Sequence, residues 1–305
     1  MLRPMDIWRC GLAKQPASDI LRNGLRAYTT LWLPELPGDV FHADPFGVWR
    51  DRRLHVFVET FSYRSYVGHI DVLTYDAALN LLGCETALRE PWHLSYPFVF
   101  EADGETWLLP EAFQSGALTL YRARQFPHRW EAVCRIPLDG PAIDATPFRH
   151  RGRWWLFYTP SRDRAARRSH LHVAFADRLT GPWHLHPGNP VRVDLAGARP
   201  GGTPFVEDGV IVLPVQDCRA TYGHAVRTLH ISVLDETAFV AADQDGVRAA
   251  PWMAPYTDGC HTLAAAGPVT LFDVKRMDAS LRAKAARLSG IVRRRLQARR
   301  PSGPR

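Results

Sequence analysis

Along this chain, short apolar runs alternate with charged turns on a repeating frame, not on a helical period. The frame is a small residue, then Pro-Phe, a turn and an aromatic-aliphatic run. Its copies read "HADPFGVWRDRRLHVFVETF" from His42, "HLSYPFVFEADGETWLLPEAF" from His93, "DATPFRHRGRWWLFYTPS" from Asp144 and "GGTPFVEDGVIVLPVQDC" from Gly201. A weaker fifth, "CHTLAAAGPVTLFDVKR" from Cys260, has Leu263 where the others have proline. With Pro45, Pro97, Pro147, Pro204 and Leu263 as markers, the spacings are about 52, 50, 57 and 59 residues, the scale of a propeller blade with its loops.

Each copy has the chemistry of a hairpin: proline at a strand start, a glycine-bearing or charged turn such as "EADGE" or "RHRGR", then a β-forming run. Between the hairpins, "GHIDVLTYD", "LTLYRARQF", "HLHVAFADR" and "RTLHISVLD" alternate apolar and polar with period two. Four strands per repeat and five repeats predict an all-β fold, a five-bladed β-propeller with a C-terminal basic helical tail. Residues 1–276 form the propeller in this reading. "DIWRCGLA" is strand-like and lies outside the repeats, so it is expected to close the ring by adding to the last blade, whose own sequence runs out near Val274. "PASDILRNG" reads as a short helix with Ser18 as N-cap and Gly24 as stop.

Composition fits one folded body: 305 residues with 46% hydrophobic content can bury a large core. The N-terminus lacks the apolar run of a signal peptide and no stretch reaches membrane-span length, so a cytoplasmic protein is expected. Cys10, Cys84, Cys134, Cys218 and Cys260 are scattered and odd in number, which reads as reduced core thiols, neither a disulfide framework nor a zinc site.

Charge changes the picture. From Asp273 onward there are eleven Lys and Arg against two Asp, while the chain as a whole carries +7, so the first 272 residues are slightly acidic. Within residues 277–305, "MDASLRAKAARLSGIVRRRLQARR" sets Leu281, Leu288, Ile291, Val292 and Leu296 at helical spacing among basic residues. This basic amphipathic helix reads either as an anchor on an anionic inner membrane or as a solvated tail; "RRPSGPR" after it reads as disordered. Nucleic acid is not an expected partner of the mildly acidic body.

In a propeller the start of each innermost strand and the end of the next reach the same mouth. Two rings of candidates follow: Asp44, Tyr96, Asp144, Gly202 and His261 from strand starts, and Glu59, Glu111, Pro160, Asp217 and Lys275 from strand ends. Carboxylates converging on one concavity are what glycosyl chemistry uses, one moving a proton and another stabilising positive charge at the sugar. Each also has a bland reading. Asp44 and Asp144 can be turn caps, Glu111 rim decoration, and Asp217 a partner for Arg199. His261 reads as a hydrogen-bonded channel histidine, since no second ligand stands at a metal-binding spacing. With no P-loop or dinucleotide fingerprint, no cofactor and no metal are expected.

"HADPF", "HLSYPFVFE", "DATPF" with "GRWWLFYT", "GPWHLHPGNP", "ARPGGTPF" and "PVQD" resemble the N-terminal propeller domain of plant glucosamine inositolphosphorylceramide transferase and its stand-alone bacterial relatives, over about Asp6 to Arg276. That domain is similar in fold to glycoside hydrolase family 43. The resemblance implies that Asp44 matches the hydrolases' base and Asp144 the Asp that tunes pKa. Their acid does not carry over, because its strand start reads Gly201-Gly202; Glu111 or Asp217 would have to replace it. The resemblance also implies a role in surface-polysaccharide or glycolipid biosynthesis. An inverting glycosyltransferase would need only a base and cations facing a phosphate leaving group, for which Arg199, Lys275 and Arg276 are candidates. Glu59, Tyr96, Gln216, Asp217 and His261 complete the candidate substrate contacts. Transfer of a nucleotide- or lipid-linked sugar, hydrolysis, a glycan-binding module serving a partner transferase, and an interaction scaffold remain open, because fold analogy does not choose among them.

Overall fold

The structure, a computed structural model, describes residues 4–298, with the side chains of 282 and 293–298 excepted; the "RRPSGPR" segment expected to be disordered lies outside them. The chain opens with β1 (Met5–Ala13), α1 (Ala17–Asn23) and β2 (Thr30–Trp32). Blade one follows as β3 (Val40–Arg50), β4 (Arg53–Ser62), β5 (Val67–Tyr75) and β6 (Leu81–Leu88). Blade two is β7 (Ser95–Ala102), β8 (Glu105–Glu111), β9 (Leu118–Gln125) and β10 (Arg129–Ile136). Blade three is β11 (Ala142–His150), β12 (Arg153–Pro160), the single turn α2 (Ala166–Ser169), β13 (His170–Ala176), β14 (His184–Leu185) and the short β15 (Arg192–Val193). In blade four the inner strand is split into β16 (Arg199–Pro200) and β17 (Phe205–Glu207), beside β18 (Val210–Asp217), β19 (Ala225–Leu234) and β20 (Phe239–Val247). Blade five has β21 (Leu263–Ala266) and β22 (Val269–Asp278), and α3 (Leu281–Ala298) ends the described chain.

Blade five takes its third and fourth strands from the other end of the protein. β1 lies antiparallel to β22 from Met5 opposite Asp278 to Ala13 opposite Thr270, and β2 pairs with β1. The sheet order β2-β1-β22-β21 completes a ring of five sheets.

The apolar face of each blade packs on its neighbour. Trp107 and Leu109 of blade two meet Leu156 and Tyr158 of blade three, and Phe157 and Val173 of blade three meet Leu213 and Leu229 of blade four. Each such side chain, when fully buried, contributes about 1.5–3 kcal/mol. α1 begins one residue before Ser18: Pro16 holds the N-cap position and Ser18 lies inside the helix, while Gly24, at φ 74°, ends it with its N–H on the Ile20 carbonyl. Proline needs no N–H partner at a helix start, which is why it sits there.

In blades one to three the inner strand carries the same irregularity. The pairing slips by one residue after Ala43, Ser95 and Ile143, a β-bulge at each place. The residues that follow, Asp44, Tyr96 and Asp144, have φ of 48°, 43° and 49°. Left-handed backbone at a non-glycine residue costs on the order of 1–3 kcal/mol and persists only where surrounding contacts impose it. Here the bulge re-aims three side chains toward the axis.

Candidate functional site

Of the three bulged residues, Asp44 opens onto a cavity of about 230 Å³, lined also by Glu59 and Glu111 from the ends of second strands, by Arg199 and His261 and by the rings of Trp8, Phe61, Tyr63, Tyr66 and Tyr222. A larger cavity, about 460 Å³, lies under α3 between Ile7, Arg64 and Ala286 and has only Asp39 and Asp278 as acids.

The carboxylates stitch the blades together around the axis. Asp44 of blade one donates its N–H to Asp273 Oδ2 of blade five at 3.1 Å and accepts at Oδ2 from the N–H of Tyr96 in blade two at 3.2 Å. Asp144 of blade three donates its N–H to Glu111 Oε2 of blade two at 3.3 Å. Blade four then grips Asp144 with Arg199 (Nε 2.5 Å, Nη2 3.3 Å) and Gln216 (Nε2 2.7 Å). Tyr96 crosses the channel: its hydroxyl meets Thr146 Oγ1 at 2.9 Å and accepts the Gly202 N–H at 2.9 Å. The carboxylates of Asp44 and Asp144 therefore bond to neighbouring blades, not to their own turns.

On the other side, His261 lies under the Trp8 ring, with centroids 3.7 Å apart and planes within 13°. Its Nδ1 is 2.7 Å from Asp273 Oδ2 and its Nε2 3.5 Å from Asp44 Oδ1. Burial opposes its charge, yet Asp273 and Asp44 together push its pKa above the ordinary imidazole value. Asp273 Oδ1 also accepts the N–H groups of His261 and Thr262, and Thr262 Oγ1 donates to Asp44 Oδ1 at 3.0 Å.

Removal from water dominates the acid chemistry. Asp44 is pushed up to about 6 by burial, against the pull of His261, with Asp144 and Asp273 adding repulsion. Burial, reinforced by Asp44, holds Glu59 well above the usual carboxyl range, and burial reinforced by Asp144 does the same for Glu111 despite Arg199. Arg199, although burial opposes its charge, is held cationic by Asp144. The site thus gathers three carboxyls that burial shifts toward the protonated form, Asp44 to about 6, an arrangement suited to paired base and acid work.

Several candidates stand elsewhere. The second-strand position of blades three and five belongs to Thr159 and Asp273, opposite Ile143 and next to Thr262, so Pro160 and Lys275 fall outside it. In blade four the position is held by Gln216, paired with Arg199. Asp217, itself buried, pairs with Arg219 2.7 Å away, and that guanidinium, outweighing burial, keeps its carboxyl below the usual range. It is therefore a poor acid. Lys275 is fully buried behind the site, with its ammonium on the Tyr222 carbonyl, near Thr221 Oγ1 and under Trp8. Arg276 faces the cavity under α3, near Asp278 and over Tyr256. None of the three candidate cations is free at the Asp44 mouth, since Arg199 is spent on Asp144, Tyr222 and the Arg167 carbonyl.

Gly201 and Gly202 have a steric reason. A Cβ at Gly202 would lie 1.9 Å from the Leu263 carbonyl oxygen, and one at Gly201 would lie 2.7 Å from that of His261. The inner strands of blades four and five touch there, bridged between Gly202 and Leu263, so neither position can carry an acid. Asp273, Thr262, Trp8 and Tyr222 are site residues that repeat counting did not find. The one signal for Asp273 was its alternation with Lys275 in "LFDVK".

A family model described as glucosamine inositolphosphorylceramide transferase 1, N-terminal, matches residues 34–247. Glucosamine inositolphosphorylceramide transferase 1 of Oryza sativa subsp. indica is 37% identical over 205 residues, 65% of this chain and 27% of the rice protein. The Arabidopsis thaliana protein of that name is 34% identical over 203 residues, 65% of this chain and 26% of its own length. The chain thus spans about a quarter of the length of the curated relatives it matches. Among solved structures, a family 117 glycoside hydrolase of the marine bacterium Zobellia galactanivorans superposes with a TM-score of 0.56 at 14% identity, covering 79% of this chain and 88% of that one. A glycosyl hydrolase from Bacteroides ovatus reaches 0.57 at 10% identity, covering 77% and 83%, and a thermostable family-43 glycoside hydrolase 0.50 at 14%, covering 68% and 78%. At these identities the likeness concerns the fold.

Proposed function

From the premise that this chain belongs to the family of the N-terminal domain of glucosamine inositolphosphorylceramide transferase 1, we propose that it is a carbohydrate-active enzyme of glycolipid or surface-polysaccharide assembly, working at the Asp44 mouth. The observation that carries this reading is the pairing of Asp44, its carboxyl raised to about 6, with Glu111, whose carboxyl burial shifts well above its usual range, on one cavity walled by aromatic rings. Asp44 takes the proton from the attacking hydroxyl. Glu111 gives its proton to the departing oxygen as the bond from the sugar carbon to that oxygen breaks and the bond to the acceptor oxygen forms. Asp144, pinned by Arg199 and Gln216, holds the framework and adds negative potential beside the positive charge that develops on the sugar. Trp8, Phe61 and Tyr222 offer faces and edges for a sugar ring.

With Asp217 paired and Gly201 and Gly202 sterically closed, the acid role falls to Glu111. A sugar-bearing lipid is the favoured substrate class, because the family's name pairs a glucosamine with a phosphorylceramide and because α3 offers a basic, partly apolar face beside the mouth. The second reading is a glycan-binding propeller without turnover. It is favoured by how fully Asp44 is engaged, with Tyr96, Thr262 and His261 all on its carboxylate.

The test is a panel of nucleotide sugars, free sugars and lipid-linked glycans, read both by thermal shift and by product formation, for wild type, Asp44→Asn and Glu111→Gln. A ligand at a hundred times its dissociation constant adds about 2.7 kcal/mol, a shift of several degrees. The enzyme reading expects a stabilising ligand that wild type converts and neither variant converts. Stabilisation with no conversion by any form gives the binding-only reading instead.

A further inference from the structure

Four of the five cysteines are wholly or partly buried, but Cys84 on the outermost strand of blade one is exposed, contrary to its reading as a core thiol. Its surroundings are unusual. One Sγ, one His42 ring nitrogen and one Asp71 carboxylate oxygen lie within 4.8 Å of one another. The register explains how three strands converge: His42 on β3 stands opposite Thr60, which stands opposite His69 on β5, and Asp71 follows on the same face of β5. Thr86, opposite Asp71, shares its face with Cys84 two residues before it.

His42 is only 4% exposed, and neither of its ring nitrogens has a hydrogen-bond partner. Leaving a buried polar group unsatisfied costs about 1–3 kcal/mol, so each such group calls for a reason. Asp71, in contrast, is held from three sides: Thr60 Oγ1 donates at 2.6 Å, Thr86 Oγ1 at 2.8 Å, and His69 Nε2 stands 3.1 Å from Oδ1. A carboxylate oriented by neighbours, beside an imidazole with its lone pair unused and an accessible thiol, is the layout of a metal ligand set with its supporting contacts.

We propose that His42, Asp71 and Cys84 bind a zinc-class divalent cation, separate from the carboxylate mouth. Imidazole, thiolate and carboxylate suit zinc, and three protein donors with a water complete its four-coordinate shell. Bonds of about 2.0–2.3 Å place tetrahedral ligands about 3.5 Å apart, so closure asks for side-chain shifts of about an ångström. The bound ion would tie the innermost strand of blade one, which presents Asp44 two residues beyond His42, to the outermost strand. Binding releases the thiol proton to solvent.

The experiment uses the full chain, stripped with chelator and titrated with zinc and with cobalt(II). Wild type is expected to bind one equivalent, to show a near-ultraviolet thiolate-to-cobalt absorption, and to melt at a higher temperature with zinc than with chelator. Cys84→Ser changes an exposed position, so its melting in chelator should match wild type. It should lose the absorption band, lose the zinc-dependent shift and bind at least tenfold more weakly. His42→Ala, measured in parallel, should weaken binding similarly. Cobalt that binds without a thiolate band, or zinc affinity unchanged in Cys84→Ser, would place any ion elsewhere, for instance at Asp44, His261 and Asp273, and would overturn the proposal. Absence of stoichiometric binding by wild type would do the same.

Discussion

At the scale of single residues, the protein holds Asp44 in a place that suits chemistry better than stability. Its carboxyl is shifted from 3.8 to about 6, chiefly by burial. A raised folded-state value means that the folded form binds the proton more tightly than the unfolded one. The stabilisation is complete below pH about 4 and is lost as pH climbs through 6, by about 3 kcal/mol for a shift of this size. Asp44→Asn removes the ionisation while keeping an oxygen to accept from Tyr96 or Thr262. The variant should therefore melt several degrees above wild type at pH 8, and the gap should close near pH 4, as calorimetry at the two pH values would read. A gap of the same size at both would mean that the carboxylate is not the source of the strain. The two readings of Asp44 also separate here: if it is the base, this change abolishes turnover, whereas if it is only a structural cap, turnover survives.

At the scale of elements, the ring depends on β1. It pairs with β22 from Thr270 to Asp278, and its Ile7, Trp8, Cys10 and Leu12 are buried. Trp8 also forms the roof of His261. Deleting residues 1–12 is expected to abolish cooperative melting by circular dichroism, and a truncated protein that melts at the wild-type temperature would show that blade five stands without its third strand. The number of blades was legible because the Pro-Phe frame marks one hairpin in each. Positions within a blade were less so. Measured from proline, Asp44 lies one residue before its marker and Asp144 three, yet the bulges make them equivalent, at φ 48° and 49°. A side chain's face alternates along a strand, so an error of one residue exchanges inside for outside. That is why counting along the frame led to Pro160 and Asp217, whereas the pairing brings Thr159 and Gln216 to the axis. In blade five, where the frame has no proline, the count overshot by two and reached Lys275 in place of Asp273. Hydrogen bonds between blades, such as Tyr96 to Gly202, join residues 106 apart in sequence and leave no local trace.

At the scale of the whole molecule, α3 relates the mouth to what lies outside it. The helix packs through its small residues: Ala283 is buried, and Gly290 sits so close to the Tyr63 carbonyl that a Cβ would come within 2.0 Å of it. Tyr63 and Tyr66 line the carboxylate cavity, so the helix stands at its edge. Leu281, Leu288 and Val292 recur seven and four residues apart, which is one stripe of a helix, and they are 84%, 48% and 48% exposed. The apolar stripe thus points away from the propeller. Six Lys and Arg and no acid fall between 281 and 298, and among the described residues no helix is long and apolar enough to cross a membrane. A helix of this kind, lying in an anionic bilayer surface, would hold the mouth near lipid headgroups, where a lipid-linked sugar is presented. Wild type should then sediment with vesicles containing phosphatidylserine and less so as salt rises, because screening weakens the basic residues' share. Replacing Leu281, Leu288 and Val292 together by Asp should lower the partition at least tenfold and leave the melting temperature unchanged, since none of the three is buried against the fold. Equal binding by the triple variant, or equal binding of wild type to vesicles of phosphatidylcholine alone, would mean that α3 does not dock on lipid, and the glycan would then have to reach the Asp44 mouth from solution.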